Sequence, residues 1–501
     1  MTVDYREYFN PLGTWCSQLC TWKHKHLATP TGKGNMVDSG IRYMRPARPE
    51  EDMFEDFHQN GIFMCCHHLT LSAVQPLQEQ LVRETFMHLY RKVPNLRACY
   101  GVREGKRWMC EMASENIDFE VVPDDGVEEV FHKFHLLKRQ PFDSTRGPLW
   151  RARLLPDTEP TAMPELNESF PHNYHLLFAI HHGITDGLSS VKICGFIISL
   201  LNDMMAGRSI EDEEELGQFD AGEETFRLVK ERKHQMEVDP TLKEKLVQDF
   251  QSTMRKVAAM NGVFPVPLDS EDKSLNLTRS LSHSDTSRFS SRCRSEGVTV
   301  LSAFTALVNI ALIDLLKDRG VMRDTYEIGG AHSMNLRRYW KDNRDTTRAL
   351  GCHLSWIKLI TDTPKDAGDA FWDYTRTLHR DLRKHQLEAT PVQEVMLIHI
   401  FHSEPPNVEA MLAFLPPPHF YTISNWGDIT SLLPPPGDLV QLTWLNMSSS
   451  LYRFNTGYNH MMQTFRGRFL YGLDYSTKCV STEEATLYAD TIFKHLHQVI
   501  Q

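Results

Sequence analysis

The feature that most constrains this chain is an apolar strand, a short polar loop and an apolar helix that follow one another directly. The strand is YHLLFAI (residues 174–180), and the helix LSSVKICGFIISLLNDMM begins at Leu188. Apolar residues cover most of the helix circumference, as they do in a helix buried in a core. The loop between them, HHGITDG, carries two histidines and an aspartate. This segment predicts an α/β core with reactive side chains at the end of one strand.

The length of the chain predicts two domains. It has 501 residues, of which 41% are hydrophobic and 24% charged, so we expect globular domains of about 200 to 250 residues each. Strands and helices are mixed up to about residue 205, with a helix over residues 77–93 and a strand from Trp150. Residues 207–275 are charged and helix-prone, which predicts a surface crossover whose acidic start is read as a solvated loop.

A second mixed region follows the crossover. We predict helices over residues 298–318 (capped by Thr299), 370–385 and 482–500, and strands over 326–334 and 466–475. The predicted organisation is an N-terminal subdomain over residues 1–206, a charged helical crossover over 207–275 and a C-terminal subdomain over 276–501. A ligand cleft between the two halves is the usual consequence of such an arrangement.

Charge and composition exclude several classes of protein. The formal net charge is −11, from 65 acidic and 54 basic residues, which argues against a broad nucleic-acid surface. No run approaches the roughly 20 apolar residues of a membrane-spanning helix, and the first residues lack a signal-peptide pattern. Ten scattered cysteines are then expected to be reduced. We predict a cytoplasmic monomer with no integral membrane segment.

The loop HHGITDG is the sharpest local candidate for chemistry. Successive side chains of a strand point to opposite faces, so at most one of His181 and His182 can face a given cleft. An imidazole there can act as a general base because its ordinary pKa lies near neutral pH. A lone pair of histidines is more often a core or surface feature, so the prediction depends on the motifs around it.

HHGITDG resembles the HHxxxDG motif of the CoA-dependent acyltransferase superfamily. This superfamily includes plant BAHD acyltransferases, condensation domains of nonribosomal peptide synthetases, alcohol acetyltransferases and bacterial wax-ester synthases. Four further segments resemble the family and follow its order: RKVPNLRACY (91–100), PFDSTRGPLWRARLL (141–155), EGVTVLSAFTALVNIAL (296–312) and TISNWGDI (422–429). The resemblance covers about residues 45–500. It implies two chloramphenicol-acetyltransferase-like subdomains, each a mixed sheet with flanking helices, joined by the crossover.

The resemblance also implies a role for each matching residue. His182 would be the general base that takes the acceptor's proton. Asp186 would point away from the substrate and pair with an arginine, for which Arg97 is the candidate. Ser424, with Asn425 as runner-up, would hydrogen-bond the oxyanion. The other implied members are His181 as a structural residue, Gly187 beside the reacting centre, and Trp426 and Gly427 in the substrate channel.

The expected donor is a diffusible acyl-CoA, with no permanently bound cofactor. The DFGWG motif of the plant enzymes is missing, and SLLPPPGDL follows TISNWGDI after one residue. A carrier-protein serine motif or an adenylation module does not fit within the chain, which disfavours a peptide-synthetase role. Asn335 and Arg337 follow a predicted strand and are candidates for holding a donor phosphate. An ordinary helix start or surface cluster explains them equally well.

Metal and nucleotide sites are not predicted. Residues 65–68 read Cys-Cys-His-His without a gap, whereas zinc ligands are separated by a few residues. The segment TPTGKGN (29–35) lacks the spacing of a phosphate-binding loop and is interpreted as a glycine-rich turn.

We therefore expect transfer of an acyl group to the hydroxyl, or amine, of a small, relatively apolar acceptor. Trp150, Phe178 and Trp426 are candidates for apolar channel walls, although core packing explains each of them individually. The sequence Gly-Pro-Leu-Trp at 147–150 suggests a long-chain alternative, a wax-ester or acylglycerol synthase. A non-catalytic binding protein on the same scaffold is the third hypothesis, against which the intact His182, Asp186 and Arg97 count.

Overall fold

The computed structural model describes residues 41–122, 127–157, 169–242, 244–245, 248, 272–340, 346–401, 421–452 and 457–501. The strands are β1 (Ile41–Pro46), β2 (Ile62–Ala73), β3 (Ala98–Arg103), β4 (Lys106–Met112), β5 (Phe119–Val121), β6 (Trp150–Asp157), β7 (His172–Ile180), β8 (Gln218–Phe219), β9 (Ser274–Ser280), β10 (Thr325–Asn335), β11 (Ala349–Leu350), β12 (Leu354–Pro364), β13 (Tyr421–Asp428), β14 (Val440–Leu451), β15 (Tyr458–Phe465) and β16 (Arg468–Ser476).

The α-helices of the described residues alternate with these strands. They are α1 (Pro49–Gln59), α2 (Glu79–Lys92), α3 (Val127–Arg139), α4 (Gly187–Met205), α5 (Glu223–Val238), α6 (His283–Ser295), α7 (Val300–Asp318), α8 (Phe371–Leu387), α9 (Thr390–Phe401) and α10 (Thr482–Val499). The helices and strands predicted from periodicity are confirmed, because α2, α4, α7, α8, α10, β6, β7, β10 and β16 occupy those places. The glycine-rich turn at 29–35 and most of the crossover after residue 242 lie outside the described residues.

Two large mixed sheets carry the fold, as the resemblance implied. The first has the strand order β14-β2-β7-β6-β5 and is antiparallel except for β5 and β6. The second has the order β12-β10-β13-β15-β16-β9, with parallel pairing of β10, β13 and β15 at its centre. Two small sheets, β1-β4-β3 and β11-β8, lie beside them.

The first sheet is completed by a strand from late in the chain. β14 pairs antiparallel with β2, from Val440 opposite Ala73 to Leu451 opposite Ile62. The predicted boundary at residue 276 therefore does not separate the two sheets, and the division into subdomains stays a prediction.

The two most apolar helices, α4 and α7, pack in the two cores, and each begins at a side chain that caps it. Asp186 caps α4 by accepting a hydrogen bond from the Ser189 amide, and Thr299 caps α7 by accepting from the Ser302 amide, as predicted. Both helices are long and apolar enough to cross a membrane. Of their most apolar stretches, 61% and 78% respectively lie buried inside the protein, so this is weak evidence for a membrane span.

Candidate active site

One cavity of about 210 Å³ collects most of the predicted site residues, and both halves of the chain line it. The predicted residues on its wall are His182, Asp186, Gly187, Asn335, Ser424, Asn425 and Trp426. His181, Arg97, Arg337 and Gly427 are not on the wall. Sequence reasoning missed other lining residues, among them Phe54, Cys65, Ser333, His353 and Ser449.

His181 is buried and does not line the cavity. Its Nδ1 accepts a hydrogen bond from the Gly183 amide at 2.9 Å, and its Nε2 lies 3.0 Å from the Glu55 carboxylate. Ser144 also donates to that carboxylate, at 2.9 Å. Burial would raise the pKa of Glu55, but the His181 contact and its other partners lower it to about 2. Both ring nitrogens of His181 are thus engaged, in keeping with the structural role predicted for it.

His182 turns in the other direction and reaches the cavity. A short 3-10 turn, His182–Ile184, follows β7 and changes the direction of the chain. The ring of His182 stacks on Phe54, with centroids 4.1 Å apart and planes at 12°. Its Nδ1 lies 2.9 Å from the Thr185 carbonyl oxygen, which can only accept, so Nδ1 carries the proton. The nitrogen left for chemistry is Nε2.

The charge of His182 depends on two sulfurs. Burial disfavours the imidazolium, but Cys65 and Cys352 favour it, and the balance raises the pKa of His182 well above its ordinary value. Burial raises the pKa of the Cys352 thiol, although His182 opposes this. His67 shares a face of β2 with Cys65 and is held neutral, because burial lowers its pKa to about 3. His182 is therefore the basic member of this group.

Asp186 is a buried anion held by three donors. Its Oδ1 accepts from the Ser189 amide at 2.9 Å, and its Oδ2 accepts from the His353 amide at 2.9 Å and from Arg337 Nη1 at 2.6 Å. Two of these donors are backbone amides and the third is Arg337. The positive N-terminal end of α4 also favours the negative charge. Burial would raise the pKa of Asp186, but Arg337 and the backbone donors lower it below its ordinary value.

The predicted pairing of Asp186 with Arg97 is wrong. Arg97 instead binds Glu111 at 2.8 Å and Glu215 at 2.9 Å. It ends the 3-10 turn Pro94–Arg97, which does touch the motif loop, but through Asn95, whose Nδ2 donates to the Ile184 carbonyl at 2.7 Å. Asn95, two residues before Arg97 in the same segment, is thus the residue that contacts the motif loop.

The phosphate-binding prediction for Asn335 and Arg337 is contradicted for the arginine. Arg337 is buried, and its guanidinium donates to Asp186, to Ser189 Oγ at 3.1 Å and to the Ala349 carbonyl at 3.1 Å. Asn335 Oδ1 accepts from the Arg337 amide at 3.0 Å and so starts the 3-10 turn Leu336–Tyr339. The alternative explanation, an ordinary helix start, is the one that the structure supports.

Ser424 and Asn425 reach the cavity from β13, at the centre of the second sheet. The Ser424 hydroxyl lies 3.0 Å from the hydroxyl of Ser333 on the neighbouring strand β10. Asn425 Oδ1 accepts from the Gly427 amide at 2.9 Å and closes a turn there. The oxygen of Asn425 is therefore occupied, and the hydroxyl of Ser424 shares one hydrogen bond with Ser333, in which either hydroxyl can donate.

Trp426 packs across the start of α4. A Cβ atom on Gly187 would lie 3.0 Å from Trp426 Cε2, so the absence of a side chain at Gly187 makes room for the indole. Gly427 is exposed, has a φ of 70° and does not line the cavity. It lies in β13 where the pairing with β15 shifts register between Asn425 and Asp428, an irregularity that favours glycine. Trp150 and Phe178 are fully buried in the core, so Trp426 alone of the three proposed wall residues lines the cavity.

Within the described ranges, no group of three His, Cys, Asp or Glu side chains is arranged to hold a metal ion. The Cys-Cys-His-His run lies on β2, where alternation sends Cys65 and His67 to one face and Cys66 and His68 to the other.

The fold is shared with solved structures of very different sequence. Trichothecene 15-O-acetyltransferase from Fusarium sporotrichioides aligns with 92% of this chain and 95% of its own, at 11% identity and a TM-score of 0.67. The epimerization domain from the third module of tyrocidine synthetase B aligns over 92% of this chain and 98% of its own, at 15% identity and a TM-score of 0.60. Polyketide synthase associated protein 5 from Mycobacterium tuberculosis aligns over 92% of this chain and 99% of its own, at 13% identity and a TM-score of 0.59.

Condensation domains are also among the similar structures, including that of the Monacolin K polyketide synthase. The chain therefore has the two-lobed fold of these acetyltransferase and condensation-domain structures, the fold that the resemblance implied. No protein-family model and no curated protein matches the sequence.

Proposed function

We propose that the protein is an acyltransferase that moves an acyl group from acyl-CoA to the hydroxyl, or amine, of a small, relatively apolar acceptor. One observation carries this proposal: His182 holds its Nδ1 proton against a carbonyl and presents its other nitrogen to a cavity that Ser424 also lines. A base and a hydroxyl donor in one enclosed space are the two groups that acyl transfer requires.

The proposed reaction needs no covalent intermediate on the protein. Neutral His182 takes the proton of the acceptor hydroxyl through Nε2, and the alkoxide adds to the thioester carbonyl. Ser424 donates a hydrogen bond to the oxyanion that forms, an interaction of about 3 kcal/mol in comparable sites. The CoA thiolate then leaves and recovers the proton from His182. The Asp186–Arg337 pair holds the loop that carries the base.

A short or medium acyl group suits the cavity better than a long one. At about 210 Å³ the cavity is smaller than the roughly 300 to 1,000 Å³ of sites that enclose drug-sized molecules. Its lining mixes Phe54, Leu354 and Trp356 with the polar residues described above, which favours an apolar acceptor.

The test is a product assay with acetyl-, octanoyl- and palmitoyl-CoA, each offered 1-butanol, 1-octanol, benzyl alcohol and octylamine. Mass spectrometry detects the ester or amide. His182→Ala is expected to lower turnover at least about 100-fold, since general bases contribute about 10² to 10⁴. His88→Ala is the matched control, because His88 pairs with Asp212 outside the cavity.

Each alternative has its own outcome in this assay. Preference for palmitoyl-CoA would replace the short-donor proposal by the long-chain synthase. If every CoA thioester failed while equilibrium binding of an alcohol persisted, the scaffold would be a binding protein. If His182→Ala kept more than about a tenth of the wild-type rate, His182 would not be the base.

A further inference from the structure

The hydroxyl of Ser424 has a neighbour that controls where its proton points. Ser333 on β10 and Ser424 on β13 follow directly after the paired residues His332 and Ile423 of these parallel strands. Their Oγ atoms are 3.0 Å apart, a hydrogen bond in which either hydroxyl can be the donor. Both side chains line the cavity that contains His182.

The direction of this bond decides what Ser424 can do. A serine hydroxyl has one proton and can accept two hydrogen bonds. If Ser424 donates to Ser333, its lone pairs face the cavity and repel a developing oxyanion. If Ser333 donates to Ser424, the Ser424 proton is released toward the cavity, and the bond it receives strengthens the one it gives.

We infer that Ser333 is a positioning residue that donates to Ser424 and thereby aims the Ser424 proton at the oxyanion. The inference rests on the proposed function, since it needs an oxyanion in this cavity. Ser333 acts through Ser424 and does not itself contact the reacting atoms. Its contribution is therefore confined to the transition state, where the negative charge develops.

The experiment is a double-mutant cycle on the acyl-CoA and alcohol pair that turns over fastest in the panel above. Ser424→Ala is expected to lower kcat by about 10² to 10³. Ser333→Ala should lower kcat about three- to tenfold and leave KM unchanged, because cooperative strengthening is a fraction of the whole bond. In the Ser424→Ala background, Ser333→Ala should have no further effect, since its target is gone.

Two further variants separate positioning from folding. Ser333→Thr keeps the hydroxyl and is expected to restore most of the rate. Ser72→Ala removes a comparable bond between neighbouring strands, from Ser72 Oγ to Asn173 at 2.7 Å, and should leave kcat unchanged. Thermal unfolding of each variant reports whether the fold is intact.

Any of three results would overturn the inference: Ser333→Ala turns over as fast as wild type, Ser333→Ala lowers kcat by the same factor in the Ser424→Ala background as in wild type, or Ser333→Thr fails to restore the rate. Absence of turnover by the wild-type protein with every donor would instead remove the proposed function and the inference with it.

Discussion

Asp186 and Arg337 form a buried ion pair, 2.6 Å between Oδ2 and Nη1, across 151 positions of the chain. Both side chains are almost completely enclosed, at 5% and 3% exposure. The pair ties the loop of His182 and the start of α4 to the end of β10. The placement of His182 therefore depends on a contact between the two halves of the chain.

Removing either charge of this pair should destabilise the whole protein. Asp186→Asn and Arg337→Gln each leave the other charge buried without a partner, which typically costs about 3 to 5 kcal/mol. Arg97→Gln is the control and should cost about 1 kcal/mol or less, because its partners are half-exposed. Urea unfolding measures all three. Equal losses for Arg97→Gln and Arg337→Gln would contradict the assignment.

The acid limb of the rate profile, the rise of kcat/KM with pH on its acidic side, should depend on the sulfurs that raise the pKa of His182. The base must be neutral, so kcat/KM is expected to rise with pH through a pKa above the ordinary value of 6.5. Cys65→Ala removes a group that raises this pKa and should move the limb to lower pH. Cys479→Ala, a thiol outside the cavity lining, should leave it in place. A limb unmoved by Cys65→Ala would show that the sulfur does not influence the base.

Gly187→Ala should impair turnover more than stability. The new Cβ would lie 3.0 Å from Trp426 Cε2, so the indole must move by a few tenths of an ångström. Alanine favours the helix by up to about 1 kcal/mol relative to glycine, which offsets part of the strain. Gly368→Ala meets only Ile310, at 3.7 Å, and serves as the control. Steady-state kinetics and thermal unfolding together check this prediction. If the double variant Gly187→Ala/Trp426→Phe regained turnover, the loss in Gly187→Ala would be due to displacement of the Trp426 indole.

Mild acid should destabilise the protein, with the loss of stability beginning near pH 6.5, above the range in which carboxylates titrate. Burial lowers the pKa of His58, His67 and His460 to about 3 and of His332 to about 4. The unfolded chain binds these protons near pH 6.5, so stability is full above that pH and falls as the pH drops toward 4 to 3. Each of these histidines should lower the free energy of unfolding by about 1.4 kcal/mol at pH 5.5 relative to pH 8. Asp52 and His182 oppose the trend, because burial raises the pKa of Asp52 to about 7 and the neighbouring sulfurs raise that of His182 well above its ordinary value.

Urea titrations at pH 8.0 and 5.5 measure the effect. His67→Leu should narrow the difference between the two, since neither ring nitrogen of His67 has a hydrogen-bond partner among the described residues. An unchanged pH difference in this variant would show that His67 is hydrated or charged in the folded protein.

The sequence predicted what local patterns determine and missed what long-range contacts determine. The apolar helices α4 and α7, the strand β7 and the cap Thr299 follow from periodicity and from side chains adjacent in the chain. The partner of Asp186 does not, because Arg337 is brought to it by the packing of β10 and the cap at Asn335. Arg97 lies in a family segment and Arg337 was a candidate phosphate ligand, and only the three-dimensional arrangement shows that Arg337 is the arginine buried beside Asp186.

The same limit explains why Ser333, Cys65 and Glu55 were missed. Each reaches its partner from a different strand or helix, and none belongs to a recognisable motif. His181 and His182 were separable in principle, since neighbouring side chains diverge at a strand end. Which of them faces the cavity depends on the 3-10 turn at His182, whose geometry the sequence did not predict.

The late strand β14 has a consequence for how the protein is made. Its partner β2 leaves the ribosome nearly 400 residues earlier, as the bond from Thr443 to Thr70 illustrates, with 373 positions between the two. Until β14 arrives, β2 presents an open edge that invites pairing with other chains. Contacts so distant in sequence form slowly, because a long loop must close first. The first sheet is thus complete only after β14 has been synthesised, and the loop that carries His182, at the end of β7, reaches its final surroundings only then.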